Sequence, residues 1–253
     1  MRQYLIAGNW KMHTDINSSV ELAVGIKNDL ITKEGVIVLV CPPFINLWHV
    51  AQEVKSTDIF VGAQNCYYED KGAFTGEISV NMIKSIGCEY IIIGHSERRA
   101  IFNEQDELIN KKAHAILKKG IKPIICIGET LDDRRAEKTN RVLHHQLDIG
   151  LLGISDDQAK DIVIAYEPVW AIGTGISAEN QQIEDAHRFI RNFLSERFAT
   201  NGKNILIQYG GSVNPDNAAE ILSIENVNGA LIGGASLKAD SFMAIVNAAQ
   251  SLV

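Results

Sequence analysis

One stretch of the chain, Tyr166-Glu167-Pro168-Val169-Trp170-Ala171-Ile172-Gly173-Thr174-Gly175, combines residue types suited to moving a proton. Glu167 leaves the apolar run Ile162 to Ala165 and is wrapped by Tyr, Pro, Val and Trp. Partial desolvation favours a protonated carboxyl, so its pKa is expected to rise toward that of a useful base. Gly173-Thr174-Gly175 supplies backbone that can move and turn N–H groups toward an oxyanion. A lid with a base at its root is the chemical reading. Taken alone, the stretch fits better a surface loop in which Trp170 packs, Glu167 is solvated and the glycines only turn the chain.

Three further groups carry chemistry. Asn9 and Lys11 follow an apolar run at i and i+2, so their side chains are expected on one side and Trp10 on the other. That gives an amide beside a cation, although a lone lysine is more often a solvated surface group. His95 stands where a strand-like run passes into Ser96-Glu97, a helix start whose positive end disfavours imidazolium and leaves a neutral N–H donor. A histidine that merely satisfies nearby backbone is the commoner case. Ser96 and Glu97 serve as cap and first-turn carboxylate, and Glu97 is also a candidate partner for Lys11. Gly210-Gly211-Ser212 and Gly233-Gly234 offer close-approaching amides to a phosphate. One Gly-Gly pair is ordinary turn chemistry; two after consecutive strands are less so.

Bringing such distant residues together requires repeated βα units. Strands are expected at Tyr4–Gly8, Val36–Val40, Phe60–Ala63, Tyr90–Ile93, Lys122–Ile127, Ile162–Ala165, Ile205–Tyr209 and Ala230–Ile232. Between them run amphipathic segments: a helix capped by Asn17-Ser18-Ser19, then Ile45–Val54, Ser79–Ile86, Glu104–Lys119, an Arg- and His-rich helix reaching about Leu152, Glu179–Phe198, a short helix near Asn217–Leu222, and Ser241–Ala249. About eight units in 253 residues is the arithmetic of a closed (β/α)8 barrel in one domain spanning 1–253. An open doubly wound sheet is the competitor. It is disfavoured because Gly8-Asn9-Trp10-Lys11 lacks the glycine-rich phosphate fingerprint that such folds place after their first strand.

Composition narrows the function classes. A net charge of −7 opposes general binding to nucleic acid or anionic membranes, so an anionic ligand must be held locally. The four cysteines, Cys41, Cys66, Cys88 and Cys126, form no CxxC pair and no zinc-type spacing, so no metal site is expected. The start has no signal-peptide pattern, and the longest apolar run, Val36 to Cys41, is too short to span a bilayer. A reducing, cytoplasmic location is the expectation.

Asn9-Trp10-Lys11-Met12, Ile93-Gly94-His95-Ser96-Glu97-Arg98-Arg99, the Tyr166 to Gly175 stretch, Tyr209-Gly210-Gly211-Ser212-Val213 and Gly233-Gly234-Ala235-Ser236, in this order, resemble the triosephosphate isomerase family over essentially the whole chain. The resemblance implies a TIM barrel that interconverts D-glyceraldehyde 3-phosphate and dihydroxyacetone phosphate through an enediolate, in glycolysis and gluconeogenesis, with no cofactor. It implies that Asn9 and Lys11 bind substrate, that His95 is the electrophile and Glu167 the base, and that Gly173, Ser212, Gly233 and Gly234 contact the phosphate. The resemblance also implies that the base, a neutral histidine and a closing loop act together. Gln64 to Gly76, containing Gly72-Ala73-Phe74-Thr75-Gly76-Glu77, resembles the family's interdigitating loop, which implies a homodimer with Thr75 near the partner's site. A self-packed Ω-loop is the other reading. Ile176-Ser177-Ala178 departs from the pattern, since many relatives carry Lys after the last lid glycine. A Schiff-base aldolase using Lys11 would need that lysine buried in an apolar pocket. A catalytically silent phosphate binder would have no use for Glu167 and His95 together.

Overall fold

The structure, a computed structural model, describes residues 2–172 and 178–253. Its strands are β1 (Tyr4–Asn9), β2 (Val36–Cys41), β3 (Ile59–Ala63), β4 (Tyr90–Ile93), β5 (Lys122–Ile127), β6 (Val163–Tyr166), β7 (Leu206–Tyr209) and β8 (Gly229–Ile232). They pair in chain order, all parallel, and β8 returns to β1 to close the barrel. The open doubly wound alternative is excluded by that closure.

The strands read as nearly unbroken apolar runs because both faces are covered. Alternate residues supply two cores. Tyr4, Ile6, Ile91, Ile93, Ile125, Ile164 and Ile207 pack outward against the helices, while Leu5, Ala7, Leu39, Tyr90, Ile92, Ile124, Val163 and Leu231 fill the barrel. Each buried leucine or isoleucine contributes roughly 1.5–3 kcal/mol, against a net stability of only about 5–15 kcal/mol for a typical domain. A polar side chain among them therefore needs partners. Glu129, Glu167, His187 and Gln208 are such cases, all at or near zero exposure.

Several helix boundaries differ from the sequence reading, each for a local reason. The helix Ile16–Asp29 is capped by Asp15, whose carboxylate accepts from the Ser18 N–H at 2.9 Å, so Asn17, Ser18 and Ser19 lie inside it. The expected Glu104–Lys119 segment is the later of two helices, Ser96–Phe102 and Asp106–Lys118, separated at Asn103 with φ of 53°. The Arg- and His-rich helix is likewise divided into Leu131–Arg135 and Thr139–Gly150, where Glu137 takes φ of 55°. The short first pieces add little to the core: Ser96–Phe102 buries only Ser96, and Leu131–Arg135 buries no side chain. Among the described residues, no helix is long and apolar enough to cross a membrane, and all four cysteines are buried and unpaired.

His187 in the helix Asn180–Arg197 is wholly buried beside Tyr166 and Tyr209. Its Nδ1 lies 3.1 Å from the Asn226 carbonyl, and its Nε2 has no partner among the described residues. Burial therefore pushes its pKa from the ordinary 6.5 down to about 4. Between those values the unfolded chain binds a proton that the native chain refuses, so stability is lost as pH falls from neutrality. This group should cost the fold roughly 2 kcal/mol between about pH 7 and pH 5. Urea unfolding of the protein and of His187→Phe at both pH values checks this: the variant's loss on acidification should be smaller by that amount, and equal losses would refute it.

Candidate active site

β1 delivers Asn9 and Lys11 to the carboxyl end of the barrel, but not by simple strand alternation. The Lys11 N–H donates to Asn9 Oδ1 at 3.0 Å, and Lys11 takes the left-handed φ of 50°. For a residue with a β-carbon, such backbone costs about 1–3 kcal/mol and persists only where neighbours hold it. Gln64 does so, its Nε2 donating to the Lys11 carbonyl at 2.9 Å and to the Cys41 carbonyl at 2.8 Å. Trp10 is buried, as expected. Lys11 Nζ pairs with Glu97 Oε1 at 2.6 Å, and a β-carbon on Gly233 would lie 3.3 Å from Lys11 Cε. The ammonium is thus partnered by a carboxylate, which is not the apolar setting that a Schiff-base lysine requires.

His95 is the N-cap of the helix Ser96–Phe102, its Nδ1 accepting from the Glu97 N–H at 3.3 Å. That leaves the ring proton on Nε2, which faces Glu167 Oε1 at 2.9 Å. Ser96 adds its N–H to Oε2 at 2.9 Å and its hydroxyl to Oε1 at 3.2 Å. Glycine makes this packing possible: a β-carbon on Gly128 would fall 1.7 Å from the Glu167 carbonyl, and one on Gly210 would fall 2.8 Å from Glu167 Cγ.

The expected upward drift of the Glu167 pKa does not hold in this arrangement. Burial raises it, but the His95 and Ser96 donors outweigh burial and hold the carboxyl below the usual range. The expectation for His95 is corrected in the same way. Burial presses the imidazole toward neutrality, yet the adjacent Glu167 carboxylate draws its pKa above the ordinary value. Both Glu167 oxygens are occupied, so the carboxylate must exchange these donors before it can reach a ligand.

At the opposite side, β7 runs into Gly210-Gly211-Ser212 and β8 into Gly233-Gly234. The Gly210 N–H donates to the Tyr166 carbonyl at 2.7 Å, and a β-carbon on Gly211 would meet the Tyr209 hydroxyl at 2.2 Å. Gly234 has open space where a β-carbon would stand. Ser236 pins the second turn through hydrogen bonds to the carbonyls of Ile232 at 3.0 Å and Gly233 at 2.7 Å.

One cavity of about 330 Å³ is lined by Asn9, Lys11, His95, Glu167, Ile172, Ser212, Gly233 and Gly234, among others. A larger recess of about 510 Å³ lies on the helical exterior beside Arg134 and Arg188 and holds none of the expected residues. Ser96 and Glu97 support the cavity through Glu167 and Lys11. Thr75 does not line it; it is exposed on a loop where Tyr67 stacks on Tyr68 and Phe74, with ring centroids 4.5 and 4.8 Å apart. Gly173, with the rest of the Gly173-Thr174-Gly175 segment, lies outside the described residues. Two groups escaped the sequence reading. Gln64 opens the long loop after β3 with nothing in its type to mark it. Glu129, in Gly128-Glu129-Thr130 at the exit of β5, was marked only by that position. It is wholly buried and accepts from Trp170 Nε1 at 2.8 Å, Arg134 Nη1 at 3.1 Å and the Tyr166 hydroxyl at 3.2 Å.

The triosephosphate isomerase family profile matches residues 4–249. A triosephosphate isomerase of Rhodopirellula baltica is 48% identical over 251 residues, covering 99% of each chain. Those of Alkaliphilus metalliredigens and Hydrogenovibrio crunogenus are 48% and 47% identical, covering 98% of this chain and 100% and 99% of their own. With that identity sustained from end to end on a closed eight-stranded barrel, the chain belongs to the triosephosphate isomerase family.

Proposed function

We propose that the protein interconverts D-glyceraldehyde 3-phosphate and dihydroxyacetone phosphate, as an intramolecular aldose–ketose isomerase of central sugar metabolism in the cytoplasm. The observation that carries this reading is the grouping of one carboxylate, one imidazole N–H, one ammonium and two glycine turns around a cavity sized for a small sugar phosphate. The reaction moves one proton between adjacent carbons and one between the oxygens they carry, with no net change of oxidation state, so these groups suffice chemically. Glu167 removes the carbon-bound proton and returns it to the neighbouring carbon. His95 Nε2–H and Lys11 Nζ stabilise the charge that grows on the two oxygens, and Asn9 helps to orient the substrate. Amides of Gly173, Ser212, Gly233 and Gly234 hold the phosphate. Substrate oxygens take over the His95 bond that Glu167 accepts at rest, which frees the carboxylate to swing toward carbon.

The whole chain acts as one barrel domain, and its working form is a homodimer. A second recess, about 370 Å³, adjoins the first and shares Asn9, Lys11 and His95 with it while also exposing Met12, Phe44 and Phe102. Met12 is 95% exposed, Ile101 70% and Phe102 63%, which is costly for a lone chain in water. A partner's Thr75 loop seated there would cover these side chains and brace Lys11 from behind.

A coupled assay with D-glyceraldehyde 3-phosphate tests the activity directly, and no turnover would sink the reading. Glu167→Gln is expected to lower kcat by at least about 100-fold while an anionic competitor still binds, because a positioned base contributes about 10²–10⁴; near-normal turnover would remove Glu167 from the role of base. Lys11→Met should weaken both competitor binding and turnover, and unchanged binding would contradict its electrostatic part. Sedimentation at micromolar protein should give twice the chain mass, whereas a clean monomer would rule the dimer out.

A further inference from the structure

Gln208 is a polar side chain inside the barrel, wholly buried on β7 between Ile207 and Tyr209, which both face the helices. Its amide nitrogen donates to two main-chain carbonyls of different strands, Leu5 of β1 at 3.0 Å and Ala230 of β8 at 3.1 Å. Its Oε1 is buried with no hydrogen-bond partner among the described residues. An unsatisfied acceptor in an apolar core is unfavourable, so the two donated bonds must offset it.

The need for them lies in the seam that closes the sheet. β7 and β8 are in register at one residue pair, Tyr209 with Ala230, whereas β8 and β1 have four and β1 and β2 have six. Gly229 opens β8 with φ of 135°, and a β-carbon there would lie 2.0 Å from the Leu5 carbonyl oxygen. Asn228 repairs the lower part of the seam, its N–H donating to the Ile207 carbonyl at 2.7 Å. Gln208 adds a side-chain link across the upper part, its amide tying β7 to the Ala230 carbonyl of β8 and the Leu5 carbonyl of β1.

The three strands that this amide joins end in the segments that ring one side of the cavity: β1 in Asn9 to Lys11, β7 in Gly210 to Ser212, and β8 in Gly233 and Gly234. Gln208 lies two residues below Gly210, about 7 Å along the strand. Glu167 and His95 follow β6 and β4; Gln208 is the sheet partner of Ala165 in β6, but the hydrogen bonds its amide nitrogen donates go to β1 and β8. We propose that Gln208 is a positioning residue for anion binding, whose amide sets the spacing among the Lys11, Ser212 and Gly233 segments that grip the charged end of the substrate. The proposal rests on the function assigned above and deepens it: the amide acts on the strands that carry the anion contacts and makes no hydrogen bond to the side chains of Glu167 and His95.

The test compares the protein with Gln208→Met, which keeps the length and removes the amide, using KM, kcat and the inhibition constant of inorganic sulfate, a tetrahedral dianion. KM and the sulfate constant are expected to rise about tenfold, the size of one lost hydrogen bond, with kcat changed less than threefold. A lowered melting temperature with unchanged KM and sulfate constant would make Gln208 a structural residue only and overturn the proposal, as would a fall in kcat at unchanged sulfate affinity. Gln208→Glu keeps one donor while its buried carboxyl is protonated, so at about pH 6 it should bind sulfate better than the methionine variant, and it should weaken relative to the parent as pH rises and the carboxylate faces two carbonyls. If the methionine variant does not fold, this comparison decides alone, and parent-like sulfate affinity at both ends of the pH range overturns the proposal. Failure of the parent protein to bind sulfate or turn over triose phosphate would instead refute the underlying function.

Discussion

Closure of a parallel sheet is the constraint on which this molecule depends. Each strand runs the same way, so each strand exit arrives at one rim, and residues as far apart in sequence as Asn9 and Gly234 line one cavity. The barrel cannot be opened at one seam without moving the rim on both sides of it. β7 and β8, the pair with the sparsest register, are joined below by the Asn228 main-chain N–H and above by the Gln208 side chain. In an interior otherwise filled by apolar side chains, this buried amide is tolerated through the two main-chain hydrogen bonds it donates.

The site built on that rim is electrostatically self-satisfied at rest. Glu97 holds Lys11, while Ser96 and His95 hold Glu167. Each of these pairings presents a group in a defined direction, and each can be exchanged for a substrate oxygen. A carboxylate that accepts three hydrogen bonds is a weak base; the same carboxylate freed from them in a buried pocket is a stronger one. The low resting pKa of Glu167 and its proposed use as a base are thus two states of one environment, separated by a side-chain swing.

A second buried carboxylate governs the approach to the first. Glu129 ties together Tyr166 and Trp170, which flank Glu167 in the chain, and is itself neutralised by Arg134. The backbone around Glu167 is held by an ion pair and two side-chain hydrogen bonds before the described residues end at Ile172.

Much of the architecture was legible in the chain. Short apolar runs alternating with amphipathic segments specify parallel strands buried on both faces, because burial patterns are local and periodic; their number fits a barrel, but closure shows only in the pairing of β8 with β1. The residues of the site were legible as types at strand exits. What the chain could not disclose were quantities that depend on neighbours remote in sequence. The Arg- and His-rich segment read as one helix, and only the structure shows the left-handed turn at Glu137 that divides an exposed short helix from a buried longer one. Burial alone suggested a raised Glu167 pKa; the net direction was decided by donors from residues 95 and 96, which only folding brings within 3 Å or so of it. Gln64 and Gln208 look like ordinary polar residues beside strands. Their roles exist only where carbonyls of other strands are left facing them, and that is a property of tertiary closure, not of sequence.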